Sequence, residues 1–176
     1  MERRKVTPVR LGSLTFGSGR IYIQSMLNTP STDISGSVAQ AEALEQAGCE
    51  IIRAAIPDRE ALQLIPSIKE KIRVPLVADI HFDYRLALEA VEAGIDKIRI
   101  NPGNIGAEDR IRAVATACAN KGVPIRIGVN GGSLEKHILA KYGAPTADAL
   151  VESGLYNARL LEKFGFNQIV ISLKSS

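Results

Sequence analysis

Three arginines, an aspartate, a histidine, two asparagines and a lysine stand where short apolar runs of this chain end. The runs close as Ile52-Arg53-Ala54, Ala78-Asp79-Ile80-His81, Ile98-Arg99-Ile100-Asn101, Ile125-Arg126-Ile127-Gly128-Val129-Asn130 and Ile171-Ser172-Leu173-Lys174. A β-strand covered on both faces should rarely contain Arg, because an unpaired charge taken out of water is very costly. Side chains two or four apart on a strand share a face. Arg99 with Asn101, Asp79 with His81, and Arg126 with Asn130 all have such spacing. For these arginines to snorkel outward beneath helices, the same coincidence would have to recur on successive strands. The pattern points instead to a polar mouth assembled from many strand ends. Arg53, Arg99, Arg126 and Lys174 there suit a phosphate or diphosphate, which Arg grips bidentately and Lys holds as a point charge. Asp79 and His81 are candidates to position or protonate an oxygen. The turn Asn101-Pro102-Gly103-Asn104-Ile105-Gly106, leading into a predicted helix, is a further source of anion-binding N–H groups.

Other polar and sulfur residues carry less. His137, between Lys136 and Ile138, reads as surface. Cys49 and Cys118 have no metal-ligand spacing and read as small buried hydrophobes, so no metal site is expected within the chain. Disulfide use is not expected, which fits a reducing, cytoplasmic setting.

Composition narrows the function class. The 176 residues are 45% hydrophobic and 23% charged, ordinary for a globular domain with a sizeable core. Aromatics make up 5% with no Trp, which argues against a single-strand nucleic-acid binder built on stacking platforms. The net charge of +3 is mild, and the longest basic cluster is Arg3-Arg4-Lys5. No apolar run approaches the ~20 residues of a membrane span.

These side chains must be positioned by alternating elements. Strands are predicted over residues 21–25, 51–55, 76–80, 97–100, 125–129 and 168–173. Helices are predicted over 37–47, 59–71, 84–93, 108–121, 134–141 and 146–164. Gly48, Gly94, Gly122 and Gly165 stand just past helix ends, and Asp83 and Pro145-Thr146 at helix starts. Two short runs, 9–11 and 14–16, flank Gly12-Ser13 and predict a small hairpin closing the bottom of the sheet. Six βα units imply a parallel sheet with crossover helices. A doubly wound sheet announces a Gly-rich turn after its first strand. Here Gln24-Ser25-Met26-Leu27-Asn28-Thr29-Pro30 follows instead. A TIM-type (β/α)8 barrel draws its site from several strand ends, as this chain does. Six strands are two short of eight, so residues 1–176 are expected to be one partial, incomplete barrel domain, about its first three-quarters.

The longer motifs carry a resemblance. Ala78-Asp79-Ile80-His81-Phe82-Asp83-Tyr84-Arg85, Arg99-Ile100-Asn101-Pro102-Gly103-Asn104-Ile105-Gly106, and Arg126-Ile127-Gly128-Val129-Asn130 with Gly132-Ser133-Leu134-Glu135-Lys136 resemble the 4-hydroxy-3-methylbut-2-enyl diphosphate synthase (IspG/GcpE) family of the non-mevalonate isoprenoid pathway. Gln24-Ser25-Met26, Gly48-Cys49-Glu50-Ile51-Ile52-Arg53 and Ile171-Ser172-Leu173-Lys174-Ser175-Ser176 match as well, while Leu27 and Pro30 depart from a loop in which that family commonly carries Thr. The resemblance implies a TIM barrel followed by a smaller domain holding a [4Fe–4S] cluster, which is absent from this chain together with the end of the barrel. It implies an oxidoreductase that reductively opens 2-C-methyl-D-erythritol 2,4-cyclodiphosphate with two electrons from flavodoxin or ferredoxin and releases water. It also implies a homodimer when full length, in which one subunit's cluster domain caps its partner's barrel. Carried over by motif, Arg99, Arg126 and Lys174 would grip the diphosphate. Arg53, Asp79, His81, Asn101 and Asn130 would line the same cavity. Cys49 and Cys118 do not match the cluster cysteines, so this chain alone is expected to be inactive. Two other readings compete: a phosphate- and pterin-binding transferase barrel of the dihydropteroate synthase type, and a catalytically inert unit that only binds or supports.

Overall fold

The computed structural model describes residues 6–81, 83–101 and 108–175. Its first element is the expected hairpin. Strands β1 (Val9–Leu11) and β2 (Leu14–Phe16) pair antiparallel around Gly12, whose φ of 57° makes the tight turn. Six parallel strands follow, each hydrogen-bonded to the next in chain order. They are β3 (Gln24–Met26), β4 (Ile51–Ala55), β5 (Leu76–Ile80), β6 (Lys97–Ile100), β7 (Ile125–Asn130) and β8 (Ile169–Lys174). Among the described residues the α-helices between them are α1 (Ile34–Gln46), α2 (Leu64–Lys69), α3 (Tyr84–Glu92), α4 (Glu108–Lys121), α5 (Lys136–Tyr142) and α6 (Ala147–Lys163). No helix among the described residues is long and apolar enough to cross a membrane.

Three predicted elements shift at their start by three residues or more. The first barrel strand is not 21–25: Ile21 and Ile23 are 90% and 63% exposed, and Gln24-Ser25-Met26 pairs with Ile51-Ile52-Arg53 instead. The first helix starts three residues earlier than expected, because the Asp33 side chain accepts a hydrogen bond from the Gly36 N–H and caps it. The span expected as one helix over 59–71 opens as a 3₁₀ turn, Glu60–Gln63, before α2. Pro66 has no N–H to return to Leu62, so the α-pattern cannot extend back through that turn. The expected starts at Asp83 and Thr146 both cap helices through their side chains. All four predicted C-terminal glycines take positive φ, from 68° to 92°.

Parallel register assigns each strand residue to a face. Ile52, Ala54, Leu76, Ala78, Ile80, Ile98, Ile100, Ile125 and Ile127 face the helices in one continuous buried core. Ile51 and Val77 face the other way and pack with Leu11 of the hairpin, flanked by Leu14, Phe16 and Tyr22. The hairpin therefore plugs the N-terminal end of the sheet's inner face. At the opposite end, Met26 from edge strand β3 and Lys174 from edge strand β8 line the same cavity. In a flat sheet five strand spacings would hold them about 24 Å apart. The sheet is therefore curled, an incomplete TIM-type barrel with its cavity at the strands' C-terminal ends.

Candidate functional site

Each strand sends its inward-facing C-terminal residues into one cavity of about 650 Å³. Arg53, Asp79, His81, Arg99, Asn101, Arg126, Asn130 and Lys174 all line it, joined by Met26, Ser133 and Ser172. The register explains the gathering. Asp79 lies opposite Arg99, Arg99 opposite Arg126, and Asn130 opposite Lys174, so the polar side chains form successive levels on one face.

Asp79 is the hub. It is 5% exposed, and its Oδ1 accepts a 2.9 Å hydrogen bond from Nη1 of Arg99. Its Oδ2 lies 3.6 Å from Nε of Arg53. His81 Nε2 lies 3.1 Å from Asp79 Oδ1 and 3.3 Å from Arg99 Nη1. That nitrogen either donates to the carboxylate or accepts from the guanidinium, so the proton on His81 decides which neighbour it holds. The imidazole is half exposed towards the cavity, whereas the carboxylate is not.

Two guanidiniums thus pair with one buried carboxylate, and a third, that of Arg126, stands close enough to feel all of them. Arg126 turns the other way from Arg99: its Nε donates to Ser172 Oγ at 3.0 Å, and that hydroxyl donates in turn to the Ile127 carbonyl. Burial lowers the Arg126 pKa, Arg53 and Arg99 lower it further, and Asp79 opposes them. A guanidinium stays charged under such pressure. The cluster therefore holds uncompensated positive charge at a mouth open to solvent, and an anion with several oxygens would relieve it. Lys174 is exposed at the rim, where a flexible ammonium can follow a ligand.

The two asparagines do something more local. Asn101 Nδ2 donates to Ser133 Oγ at 2.8 Å, tying β6 to the 3₁₀ turn Gly131–Ser133. Asn130 Oδ1 accepts from the Gly132 N–H and caps the same turn. Both line the cavity while bracing the turn after β7. The anion-binding turn expected over 101–106 lies, from residue 102 on, outside the described residues. His137 is exposed and stacks edge-on against Tyr156, away from the cavity lining.

Met26 and Ser133 were not site candidates, and Ser172, Lys97 and Gly128 also escaped the sequence reading. Ser172 carried a usable signal, since it lies two residues before Lys174 on the same face. Lys97, two residues before Arg99, is 1% exposed, and its Nζ lies 4.4 Å from the Phe16 ring centroid. Burial, aided by Arg126 and Arg53, pushes its ammonium down to about 8. Gly128 carried no signal without the structure: a Cβ built there would lie 2.2 Å from Arg99 Nε.

The residues present do not fit an iron–sulfur cluster. Cys118 is fully buried and its thiol is pushed up to about 12, the reverse of what a thiolate ligand needs. Cys49 is buried too, with its Sγ 3.0 Å from the Ile51 carbonyl oxygen. Among the described residues no group of three or more His, Cys, Asp or Glu is placed to hold a metal ion.

Solved structures share this fold at low identity. Dihydropteroate synthase from Yersinia pestis superposes with a TM-score of 0.68 at 13% identity, over 93% of this chain and 61% of that one. A phospho-2-dehydro-3-deoxyheptonate aldolase from Thermotoga maritima gives 0.66 at 14% identity, over 94% and 44%. Sequence relatives are far closer. The 4-hydroxy-3-methylbut-2-en-1-yl diphosphate synthase (flavodoxin) of Geobacillus kaustophilus is 58% identical over all of this chain and 47% of that protein. The protein of the same name from Lysinibacillus sphaericus is 55% identical over 99% of this chain and 47% of its own length. The chain thus spans about half the length of the curated relatives it matches. The GcpE TIM-barrel domain family model matches residues 6–176, and with the curled sheet and its polar strand ends this places the chain in that family.

Proposed function

We propose that this chain is the substrate-binding barrel of a 4-hydroxy-3-methylbut-2-enyl diphosphate synthase. It would bind the cyclic diphosphate 2-C-methyl-D-erythritol 2,4-cyclodiphosphate for reductive ring opening in non-mevalonate isoprenoid synthesis. The observation that carries this reading is the convergence of Arg53, Arg99 and Arg126 on one mouth with Asp79 as the sole carboxylate among its described lining residues. Arg99, Arg126 and Lys174 would hold the diphosphate oxygens, and Arg53, Asn101 and Asn130 would shape the cavity around the polyol. His81, with Asp79 behind it, is the group placed to give or take a proton at a substrate oxygen.

The redox half of the reaction calls for groups this chain does not supply. Its two cysteines are unsuited as ligands, so a [4Fe–4S] cluster would be held by a further domain of the full-length protein. Flavodoxin, which the relatives' names give, would deliver the electrons, and a homodimer would bring the cluster over the barrel. The chain alone would bind substrate without turning it over. The exposed Ile171 and Leu173 on edge strand β8 support packing of further barrel units there. The pterin-binding alternative rests on fold likeness at 12–16% identity, which carries no chemistry.

Arg126→Ala in the full-length protein tests the reading through calorimetric binding of the cyclodiphosphate. Losing a charge-assisted contact of about 1.5–3 kcal/mol should weaken binding by roughly ten- to a hundred-fold. Unchanged affinity would remove Arg126 from the anion site and the proposal with it.

A further inference from the structure

Gly128 sits in the middle of β7, where a glycine has no side chain to pack and weakens the strand. Its φ is not positive, so no turn demands it. The reason lies across the sheet. A Cβ at this position would stand 2.2 Å from Nε, 2.5 Å from Nη2 and 2.7 Å from Cζ of Arg99, so the guanidinium lies in the space the missing side chain leaves.

That space solves an electrostatic problem. Arg99 and Arg126 are direct neighbours in the parallel register, where two like charges repel. They are kept apart by opposite partners: Arg126 turns to Ser172 on β8, and Arg99 reaches back to Asp79 on β5. Arg99 can do so only with its guanidinium laid over the bare backbone of Gly128. A side chain at 128 would occupy that space, so the guanidinium would have to leave the position from which it makes the 2.9 Å bond to Asp79. We infer that Gly128 is a positioning residue for the anion site, acting through Arg99.

The inference rests on the anion-site reading, but its test separates the two. The clash falls on the far end of a flexible side chain, so Gly128→Ala should fold while misplacing one guanidinium. In the full-length protein, inorganic pyrophosphate affinity by calorimetry should fall roughly ten-fold, the loss of one charge-assisted contact. In an Arg99→Ala background the space is vacated, and Gly128→Ala should then change affinity less than two-fold, a coupling that a merely structural role would not produce. Equal losses in both backgrounds, or none in either, overturn the inference. The crystal structure of the Gly128→Ala variant provides a readout that needs no ligand. Arg99 detached from Asp79 supports the inference, and Arg99 unmoved overturns it. Failure of the unsubstituted protein to bind pyrophosphate would count against the anion site, while the crystal structure would still decide on Gly128.

Discussion

The two ends of the barrel interior are built from the same strands, two residues apart, with opposite chemistry. Ile51 precedes Arg53 on β4, Val77 precedes Asp79 on β5, and Lys97 precedes Arg99 on β6. The lower level is sealed by Leu11, Phe16 and Tyr22, and the upper level opens to solvent. One step of about 7 Å along each strand therefore separates a dry plug from a charged mouth. The difference shows how such a barrel divides its labour. The hairpin end supplies burial, and the strand C-termini, freed from packing duty, can hold unbalanced charge for a ligand. Lys97 breaks the division, because it is a cation placed in the lower level.

Leu11→Ala should give the largest effect. It empties a fully buried position in a small plug, with an expected loss of about 3 kcal/mol from the range for buried leucines. Denaturant midpoints of the full-length protein would measure it, while pyrophosphate affinity of the folded protein should stay within about two-fold. A large loss of affinity would mean that the plug and the mouth are one cooperative unit.

Lys97→Met should act in the opposite direction. The ammonium, lowered from 10.5 to about 8, is disfavoured in the folded state, so the folded chain sheds its proton before the unfolded chain does. Below pH 8 the cost is fully present. Between pH 8 and 10.5 the unfolded state binds more protons, and stability rises with pH. The full cost corresponds to about 3 kcal/mol, part of which the contact with the Phe16 ring offsets. Met at 97 should therefore stabilise the protein by about 1–3 kcal/mol at pH 7 and abolish the rise above pH 8 in thermal melts. Persistence of that rise would place the titration elsewhere.

The charged mouth was legible in the sequence and the plug only partly so, for a physical reason. Polar residues at two- and four-residue spacing inside apolar strands have few explanations, and all eight candidates reach one cavity. The hairpin was visible through Gly12 between two short apolar runs. Lys97 was not, because a lysine at the start of a strand normally lies in solvent, and only the hairpin folding beneath it creates the burial. Gly128 depends on where Arg99 of another strand lies down, which no local pattern encodes. The first barrel strand is expected too early because Ile21 and Ile23 have the pattern of a core strand, whereas the ladder with β4 runs through Gln24, Ser25 and Met26. Asn101 and Asn130 were legible as cavity residues but not as braces of the Gly131–Ser133 turn, since that role depends on the loop returning to them.

The smallest expected effect isolates the plug's polar stitching from its packing. Leu11 and Leu14 flank the hairpin's two-residue loop, so the next pair, Arg10 and Thr15, does not exchange ladder hydrogen bonds. The Thr15 backbone groups therefore point away from β1, and the Tyr22 hydroxyl serves both: it accepts from the Thr15 N–H at 3.1 Å and donates to its carbonyl at 3.2 Å. Tyr22→Phe keeps the ring against Phe16, whose centroid lies 5.5 Å away, and removes only these two bonds. The site is half-buried, so water can replace part of what is lost, and a cost of about 1 kcal/mol is expected in the denaturant midpoint. Pyrophosphate affinity should not change, because no atom of the mouth depends on that hydroxyl. A cost equal to that of Leu11→Ala would show that the hairpin is held by its hydrogen bonds, and that burial is not what distinguishes the closed end from the open one.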